Sequence, residues 1–157
     1  MPDPIVIRLA ADTSADVLTL SELRRMSALE IRPGSSDDAG FQERFAAWHE
    51  RESDRRLTWL AEASGQAVGL MNLAVFERMP RPGSDPGRWG YLANAYVLPG
   101  YRNRGVGTRL IEAVLAHADA RGFARVVLSP SPRSVAFYRR AGFGPAETLL
   151  LRSRPPG

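Results

Sequence analysis

Residues 97–109 read VLPGYRNRGVGTR, and the elements predicted on either side of this stretch decide the fold. The apolar run YLANAYVL leads into it, and a helical pattern of apolar residues follows it. A strand that ends in a glycine-rich turn and opens a helix leaves several backbone N–H groups unpaired at the helix N-terminus. Because the helix dipole adds partial positive charge there, the sequence predicts a site for an anion such as phosphate.

Three glycine motifs of nucleotide-binding proteins can be compared with this loop. The P-loop pattern fails because it requires Lys and Ser/Thr where Val106 and Gly107 stand. The dinucleotide fingerprint fits Gly105 and Gly107 but has Leu110 at the position of its third glycine. The pattern Arg-x-x-Gly-x-Gly fits at every position, beginning at Arg102. From the loop alone, a plain glycine-rich turn between a strand and a helix remains the alternative.

A second glycine segment lies further along the chain, where residues 135–143 read VAFYRRAGF. Gly142 suits the left-handed position after a helix, and Phe143 suits the hydrophobic contact that follows it. Together with the V-x-P before the first glycine loop, these segments resemble the two sequence signatures of the GNAT superfamily of acetyl-CoA-dependent N-acetyltransferases. They occur in the order that the family shows, and the resemblance extends over nearly the whole chain.

Apolar periodicity and turn residues predict the order strand, two helices, three strands, helix, strand, helix, strand. The predicted strands cover residues 5–9, 57–63, 67–76, 89–98, 124–128 and 147–152. The first predicted helix follows a cap at Asp12 or Ser14, and the second and third cover residues 37–51 and 108–121. The fourth begins after a cap at Ser131, with Pro132 in its first turn, and ends at residue 141. The resemblance implies one α/β (α+β) domain over residues 1–157. It has a mixed, mostly antiparallel central sheet with a parallel splayed pair, flanked by about four helices.

The resemblance also implies which residues bind the co-substrate acetyl-CoA. Its pyrophosphate is expected at the N–H groups of the glycine loop, and its pantetheine amides beside the edge of the preceding strand. A backbone N–H near Ala95 or Val97 is expected to hold the thioester oxygen. The expected cofactor-binding residues are Ala95, Val97, Leu98, Pro99, Arg102, Asn103, Arg104, Gly105, Val106, Gly107, Thr108, Ser131 and Tyr138.

One catalytic residue follows from the resemblance. Tyr138 matches the family tyrosine that faces the thioester sulfur, so it is expected to protonate the leaving thiolate. The alternative is a tyrosine that packs against the cofactor without acting in the reaction. The base that deprotonates the amine is left open among Glu30, Glu77 and Asp85. His49 is predicted to be a partly exposed surface histidine.

Composition argues against several other classes of function. With 44% hydrophobic and 24% charged residues, the chain has the composition of a globular domain rather than a disordered one. Its net charge is +4, but the arginines are dispersed among 17 acidic residues, so we expect no nucleic-acid partner. No apolar run approaches the ~18 residues of a membrane span, so no membrane partner is expected. The chain has no cysteine and only two histidines, so no metal is expected.

The acceptor implied by the resemblance is a primary amine of a small molecule or a peptide. We expect it to enter between the first helix break, Leu29–Ser36, and the proline-rich loop Glu77–Arg88. The lack of cysteine is compatible with a cytoplasmic location, and the resemblance implies a homodimer as the assembly to test. A non-enzymatic CoA-binding sensor or interaction module on the same fold is the alternative function.

Overall fold

A computed structural model describes residues 3–34 and 38–157 of the protein. The strands are β1 Ile5–Leu9, β2 Arg56–Ala63, β3 Gln66–Glu77, β4 Arg88–Val97 and β5 Val126–Val127. The helices are α1 Ser14–Ile31, α2 Phe41–Glu52, α3 Val106–Ala120 and α4 Val135–Arg140, with short 3₁₀ turns at Ser53–Arg55 and Pro99–Tyr101. The strands form one sheet in the order β1-β2-β3-β4-β5, antiparallel except for the parallel pair β4–β5. The predicted fold class is therefore confirmed.

The centre of the sheet is β3, whose residues 68–74 are all buried. A tight turn joins it to β2, with Ser64 and Gly65 both at positive φ, the backbone that a two-residue hairpin requires. On one face of the sheet, α1 packs Leu20 and Leu23 against the strands. On the other face, α3 contributes the fully buried side chains Leu110, Ile111 and Val114. The sheet is thus covered on both faces, and the functional features lie at its β4–β5 edge.

A bulge interrupts β4 where it approaches the glycine loop. Leu70 of β3 faces Tyr96, whereas Asn72 faces Ala93, so the two residues 94 and 95 of β4 stand opposite the single residue 71. Asn94 takes a φ of 55°, a left-handed conformation that asparagine tolerates better than most residues.

The pairing of β4 with β5 ends ahead of the bulge. Their parallel pairing covers only Gly90 with Val126 and Tyr91 with Val127. From Ala93 onward, β5 therefore leaves the outer edge of β4 without a strand partner. Because alternate residues of a strand direct their backbone groups to opposite sides, this edge offers N–H and C=O groups to a ligand.

Two helix starts differ from the predictions. Thr13 caps α1 instead of Asp12 or Ser14, because its Oγ1 accepts a hydrogen bond from the backbone N–H of Asp16 at 3.2 Å. The second helix begins at Phe41, and its predicted start at residue 37 lies outside the described residues.

The predicted start of α4 at Ser131 and Pro132 is wrong, since the helix begins at Val135. The N–H of Ser134 donates to the carbonyl of Ser131 at 3.0 Å, which closes a turn ahead of the helix. The Ser131 hydroxyl donates to the hydroxyl of Ser134 at 3.0 Å instead of capping a helix.

The predicted last strand, Glu147–Arg152, is also wrong. These residues pair with no strand, and Leu150 and Leu151 are 102% and 89% exposed. The apolar run LLL favours a strand by composition, but it lacks the alternation that would direct one face to the core. Moreover, β5 is only two residues long and offers a short edge for pairing.

Candidate active site

The glycine loop leads into the N-terminus of α3, where the sequence predicted an anion site. Gly105 stands before the helix with a φ of 80°, and no side chain caps the helix N-terminus. The first helical hydrogen bond of α3 runs from the N–H of Arg109 to the carbonyl of Gly105 at 3.0 Å. The N–H groups of residues 106–108 therefore have no partner within the helix, and they are directed out of its N-terminus.

A pocket of about 490 Å³ opens in front of these groups and continues along the free edge of β4. Nine of the thirteen predicted residues line it, namely Ala95, Val97, Arg102, Asn103, Gly105, Val106, Gly107, Thr108 and Tyr138. The two sequence signatures, which are distant in the chain, thus meet across one cavity.

The four other predicted residues do not line the pocket, for reasons that the structure makes plain. The N–H of Leu98 donates to Val68 of β3 at 2.8 Å, so this residue belongs to the sheet. Pro99 begins the 3₁₀ turn, and the guanidinium of Arg104 lies over the ring of Tyr101, 5.7 Å from its centroid. Ser131 is engaged with Ser134.

Several lining residues were missed by sequence reasoning: Met71, Tyr96, Tyr101, Arg133, Ser134, Phe137 and Arg140. Most of them lie on or just before α4. Helical spacing from Tyr138 would have found Ser134, which lies one turn before it and accepts its N–H at 3.1 Å. The prediction treated Tyr138 as a single residue of a motif rather than as one side chain of a helix face.

Tyr138 lies at the wall of the pocket, supported by two aromatic rings. Its ring makes edge contacts with Phe137 and Phe143, at centroid distances of 5.0 and 5.7 Å. The α4 terminus holds this arrangement, because the N–H of Phe143 donates to the carbonyl of Tyr138 at 3.0 Å and Gly142 follows the helix at a φ of 102°. Burial raises the pKa of Tyr138 above its ordinary value, so the phenol keeps its proton at neutral pH.

Glu30 and Arg102, both assigned functional roles from the sequence, are bonded to each other. An Nη2 of Arg102 donates to the two carboxylate oxygens of Glu30 at 2.9 and 2.8 Å, and the hydroxyl of Tyr96 donates to the same carboxylate at 2.8 Å. The Nε of Arg102 donates to the carbonyl of Val97 at 2.9 Å. These contacts connect the end of α1 to the glycine loop.

This network changes the ionisation of its members. The hydrogen bond from Arg102 lowers the pKa of Glu30, which favours a carboxylate that is already engaged over one free to accept a proton. Burial, with the hydrogen bond to Glu30, raises the pKa of Tyr96 to about 12. Arg102 therefore presents a charge that is largely balanced by Glu30.

The structure does not bring the other two predicted bases to the pocket. Glu77, at the end of β3, pairs with Arg88 at 3.2 Å and lines a different cavity at the far end of the sheet. Asp85 is exposed in the loop between β3 and β4. His49 is partly exposed, as predicted, but its Nε2 lies 2.9 Å from Oδ1 of Asp12, an interaction that the sequence did not suggest.

Two other kinds of functional feature are absent from the part of the chain that the structure describes. Within residues 3–34 and 38–157, no group of three or more His, Asp or Glu side chains could hold a metal ion. No helix of the described chain combines the length and apolar character that crossing a membrane requires.

The sequence profile of the Acetyltransferase (GNAT) family matches residues 20–143. The chain therefore belongs to this family, as the resemblance of its two glycine segments predicted.

Individual relatives agree with this assignment. Glucosamine 6-phosphate N-acetyltransferase 1 of Oryza sativa subsp. japonica is 33% identical over 57 residues, which are 36% of this chain and 34% of that protein. Aminoglycoside N(6')-acetyltransferase type 1 of Salmonella typhimurium is 26% identical over 125 residues, 78% of this chain and 83% of that protein. A predicted acetyltransferase of Clostridium acetobutylicum, solved with acetyl-CoA, superposes with a TM-score of 0.74 at 20% identity and covers 96% of both chains. The chain spans only about a third to a half of the first two curated relatives it matches.

Proposed function

We propose that this protein is an N-acetyltransferase that moves the acetyl group of acetyl-CoA to a primary amine by direct transfer in a ternary complex. The observation that carries the proposal is the pocket itself, which joins the unpaired N–H groups of α3, the free edge of β4 and the Tyr138 side chain. Family membership supports the same conclusion.

Each part of acetyl-CoA has a matching feature in this pocket. The N–H groups of residues 106–108 suit the pyrophosphate, and Arg133 and Arg140 add positive charge at the α4 side. Gly107 and Phe137 both line the pocket, and a Cβ at residue 107 would already contact the Phe137 ring at 3.4 Å, so glycine leaves the space between them open. The open edge of β4 suits the two pantetheine amides.

Two groups of the chain are proposed to act on the reacting end. When bound, acetyl-CoA would supply an activated thioester beside the β4 bulge. A backbone N–H near Ala95 or Val97 would hold the thioester oxygen, because the outward groups of this edge have no strand partner. The protonated Tyr138 hydroxyl would donate its proton to the departing thiolate, whose ordinary pKa is about 8.5. Since the sequence contains no cysteine, no thiol can carry the acetyl group between donor and acceptor.

The acceptor is proposed to be a small-molecule amine, with a peptide amine as the second choice. The names of two relatives, which act on glucosamine 6-phosphate and on aminoglycosides, support a small molecule. We propose that it enters on the α1–α2 side of the bulge, near the end of α1. A single domain over residues 1–157, a cytoplasmic location and a homodimer complete the proposal. Contact with a second copy of the chain would remove the exposed side chains of Leu150 and Leu151 from water, which favours a homodimer.

The test is amine-dependent release of free thiol from acetyl-CoA. The panel contains glucosamine 6-phosphate, an aminoglycoside, a polyamine and a short peptide, and CoA binding is measured in parallel by calorimetry. We expect CoA to bind and at least one amine to raise thiol release well above the rate without amine. CoA binding without turnover of any amine would favour the sensor alternative, and no CoA binding would refute both.

A further inference from the structure

A small cavity, lined by both apolar and polar side chains, lies on the opposite side of the β4 bulge from the proposed acetyl-CoA pocket. Asn94 of the bulge lines this cavity, whereas its neighbour Ala95 lines the pocket. The cavity has a volume of about 30 Å³, which is enough for a water molecule with polar partners. His49 of α2 lines its other side. His49 and Asn94, the neighbour of Ala95 in the bulge, therefore line one cavity.

Asn72 and Thr58, which line this cavity, belong to a chain of hydrogen bonds. An Nη1 of Arg56 donates to Oδ1 of Asn72 at 2.8 Å, and Nδ2 of Asn72 donates to Oγ1 of Thr58 at 2.7 Å. Asn72 is only 6% exposed, so these bonds hold its amide in one orientation. Among the side chains that line the cavity, the imidazole of His49 is the one with a ring nitrogen that can accept a proton.

His49 is held in position by an acidic partner from another element. Its Nε2 lies 2.9 Å from Oδ1 of Asp12, in the turn between β1 and α1. A carboxylate can only accept this bond, so Nε2 carries the hydrogen and Nδ1 carries the lone pair. No hydrogen bond to Nδ1 is present within the described part of the chain. The His49 side chain is 17% exposed and that of Asp12 is 74% exposed, so the pair connects the cavity to solvent.

The proposed reaction needs such a proton acceptor. A primary alkylamine like the lysine side chain has a pKa of about 10.4, so it arrives as an ammonium without a lone pair for attack. Glu30 is bonded to Arg102 and Tyr96, and Glu77 and Asp85 lie away from the pocket. None of the carboxylates predicted from the sequence is therefore well placed to remove this proton.

We propose that His49, held by Asp12, receives the proton of the acceptor ammonium through a water molecule in this cavity. This inference rests on the proposed acetyltransferase function. The ammonium N–H bond breaks and leaves its electron pair on nitrogen, while the water takes this proton and gives another to Nδ1 of His49. The resulting imidazolium is stabilised by the Asp12 carboxylate and then releases its proton to solvent. In this proposal His49 acts through the water molecule and contacts neither substrate. It is therefore a positioning residue, which orients the water and receives a proton from it.

Other charged groups near His49 bear on the pH dependence. The charged side chains that line the cavities around His49 are Asp12, Glu52, Arg24 and Arg56. Arg56 is already committed to Asn72, and its guanidinium also lies over the Trp48 ring at 5.1 Å. The effect of pH on kcat is therefore compared between variants, because the pH profile of one protein alone does not identify His49.

The kinetic test compares His49→Gln and Asp12→Asn with Glu50→Gln, a control at the next, exposed position of α2. The amine is the one of the panel that the unaltered protein acetylates fastest. At pH 7 we expect His49→Gln to lower kcat at least tenfold with an unchanged KM for acetyl-CoA, and Asp12→Asn to lower it less. The deficit should shrink towards pH 9, where more of the amine is already neutral. An unaffected His49→Gln, or a loss of the same factor at every pH, would overturn the inference.

A second measurement does not depend on turnover. In ¹⁵N NMR spectra of the histidine side chains, the signal that disappears in His49→Gln identifies His49. We expect the neutral ring to carry its hydrogen on Nε2, and we expect Asp12→Ala to change the Nε2 signal because it removes the hydrogen-bond acceptor. A hydrogen on Nδ1, or an Nε2 signal unchanged in Asp12→Ala, would overturn the arrangement. Absence of turnover in the unaltered protein would remove the proposed function and this inference with it, whereas turnover with an unaffected His49→Gln would remove this inference alone.

Discussion

Replacing Tyr138 by phenylalanine tests the proposed proton donor with little change to the fold. The substitution keeps the ring that packs against Phe137 and Phe143, and the carbonyl that receives the N–H of Phe143 is unchanged. No hydrogen bond of the Tyr138 hydroxyl occurs within the described residues, so its removal leaves no partner unsatisfied. We therefore expect a change in free energy of unfolding within the ~0.5 kcal/mol typical of harmless substitutions.

The expected kinetic effect is much larger. A positioned general acid typically accelerates a reaction by about 10²–10⁴-fold. Because a thiolate leaves readily even without a proton, we expect the loss at or below the lower end of this range, about 10–100-fold in kcat. This corresponds to about 1.4–2.7 kcal/mol of activation free energy. Since the loss concerns the departing sulfur, the KM for acetyl-CoA should stay within about twofold, the pattern of an interaction made only during the reaction.

The pH dependence gives a second sign of the same role. Burial raises the pKa of Tyr138, so its proton is available through the neutral range and is lost only at high pH. The unaltered protein should therefore lose kcat at strongly basic pH, and Tyr138→Phe should not show this additional loss. Thiol release and CoA affinity are measured for both, with Tyr101→Phe as the control, because Tyr101 lines the same pocket. Turnover of Tyr138→Phe within twofold of the unaltered protein would refute the assignment.

Two further predictions concern stability. A methyl group at Gly90 would lie 2.7 Å from Cδ1 of Leu73, so Gly90→Ala should lower the free energy of unfolding by about 1–3 kcal/mol; urea denaturation that gives no loss would contradict this packing. The Arg8 guanidinium and the Ala11 N–H lower the pKa of Asp16 from 3.8 to about 2. Because the pKa of Asp16 is lower in the folded state, its ionised carboxylate stabilises the fold above pH 3.8, and this contribution is lost as the pH falls towards 2. The difference in free energy of unfolding between the unaltered protein and Asp16→Asn should therefore narrow over that interval. A difference that is constant from pH 5 to 2 would show that Asp16 contributes nothing through its ionisation.

The features that sequence predicted well are local ones. A strand, a glycine turn and a helix start are set by neighbouring residues, so the glycine turn and the start of α3 could be assigned from the chain alone. The same holds for the end of α4, where Gly142 and Phe143 form the predicted termination. Both glycine segments are encoded within about ten residues each, which is why a motif can describe them.

The features that could not be predicted from the sequence depend on residues that are far apart in the chain. Arg102 was expected to serve the phosphate, but Glu30, 72 residues away, holds its guanidinium. Asp12 and His49 are 37 residues apart, and no spacing rule joins them. The run Leu149–Leu151 has the composition of a strand, yet whether a strand forms depends on an available sheet edge, which β5 supplies for only two residues.

The central claim is that the N–H groups at the start of α3 bind the pyrophosphate of CoA. Calorimetric titration of CoA into the unaltered protein and into Gly107→Val tests it most directly, with thermal unfolding as a check that the variant is folded. The valine Cβ would contact the Phe137 ring at 3.4 Å, and its two methyl groups would take up space in the pocket that both residues line. We predict binding of one CoA per chain to the unaltered protein and at least a tenfold weaker affinity in the variant. No binding to the unaltered protein, or equal affinity in a folded Gly107→Val, would contradict the account.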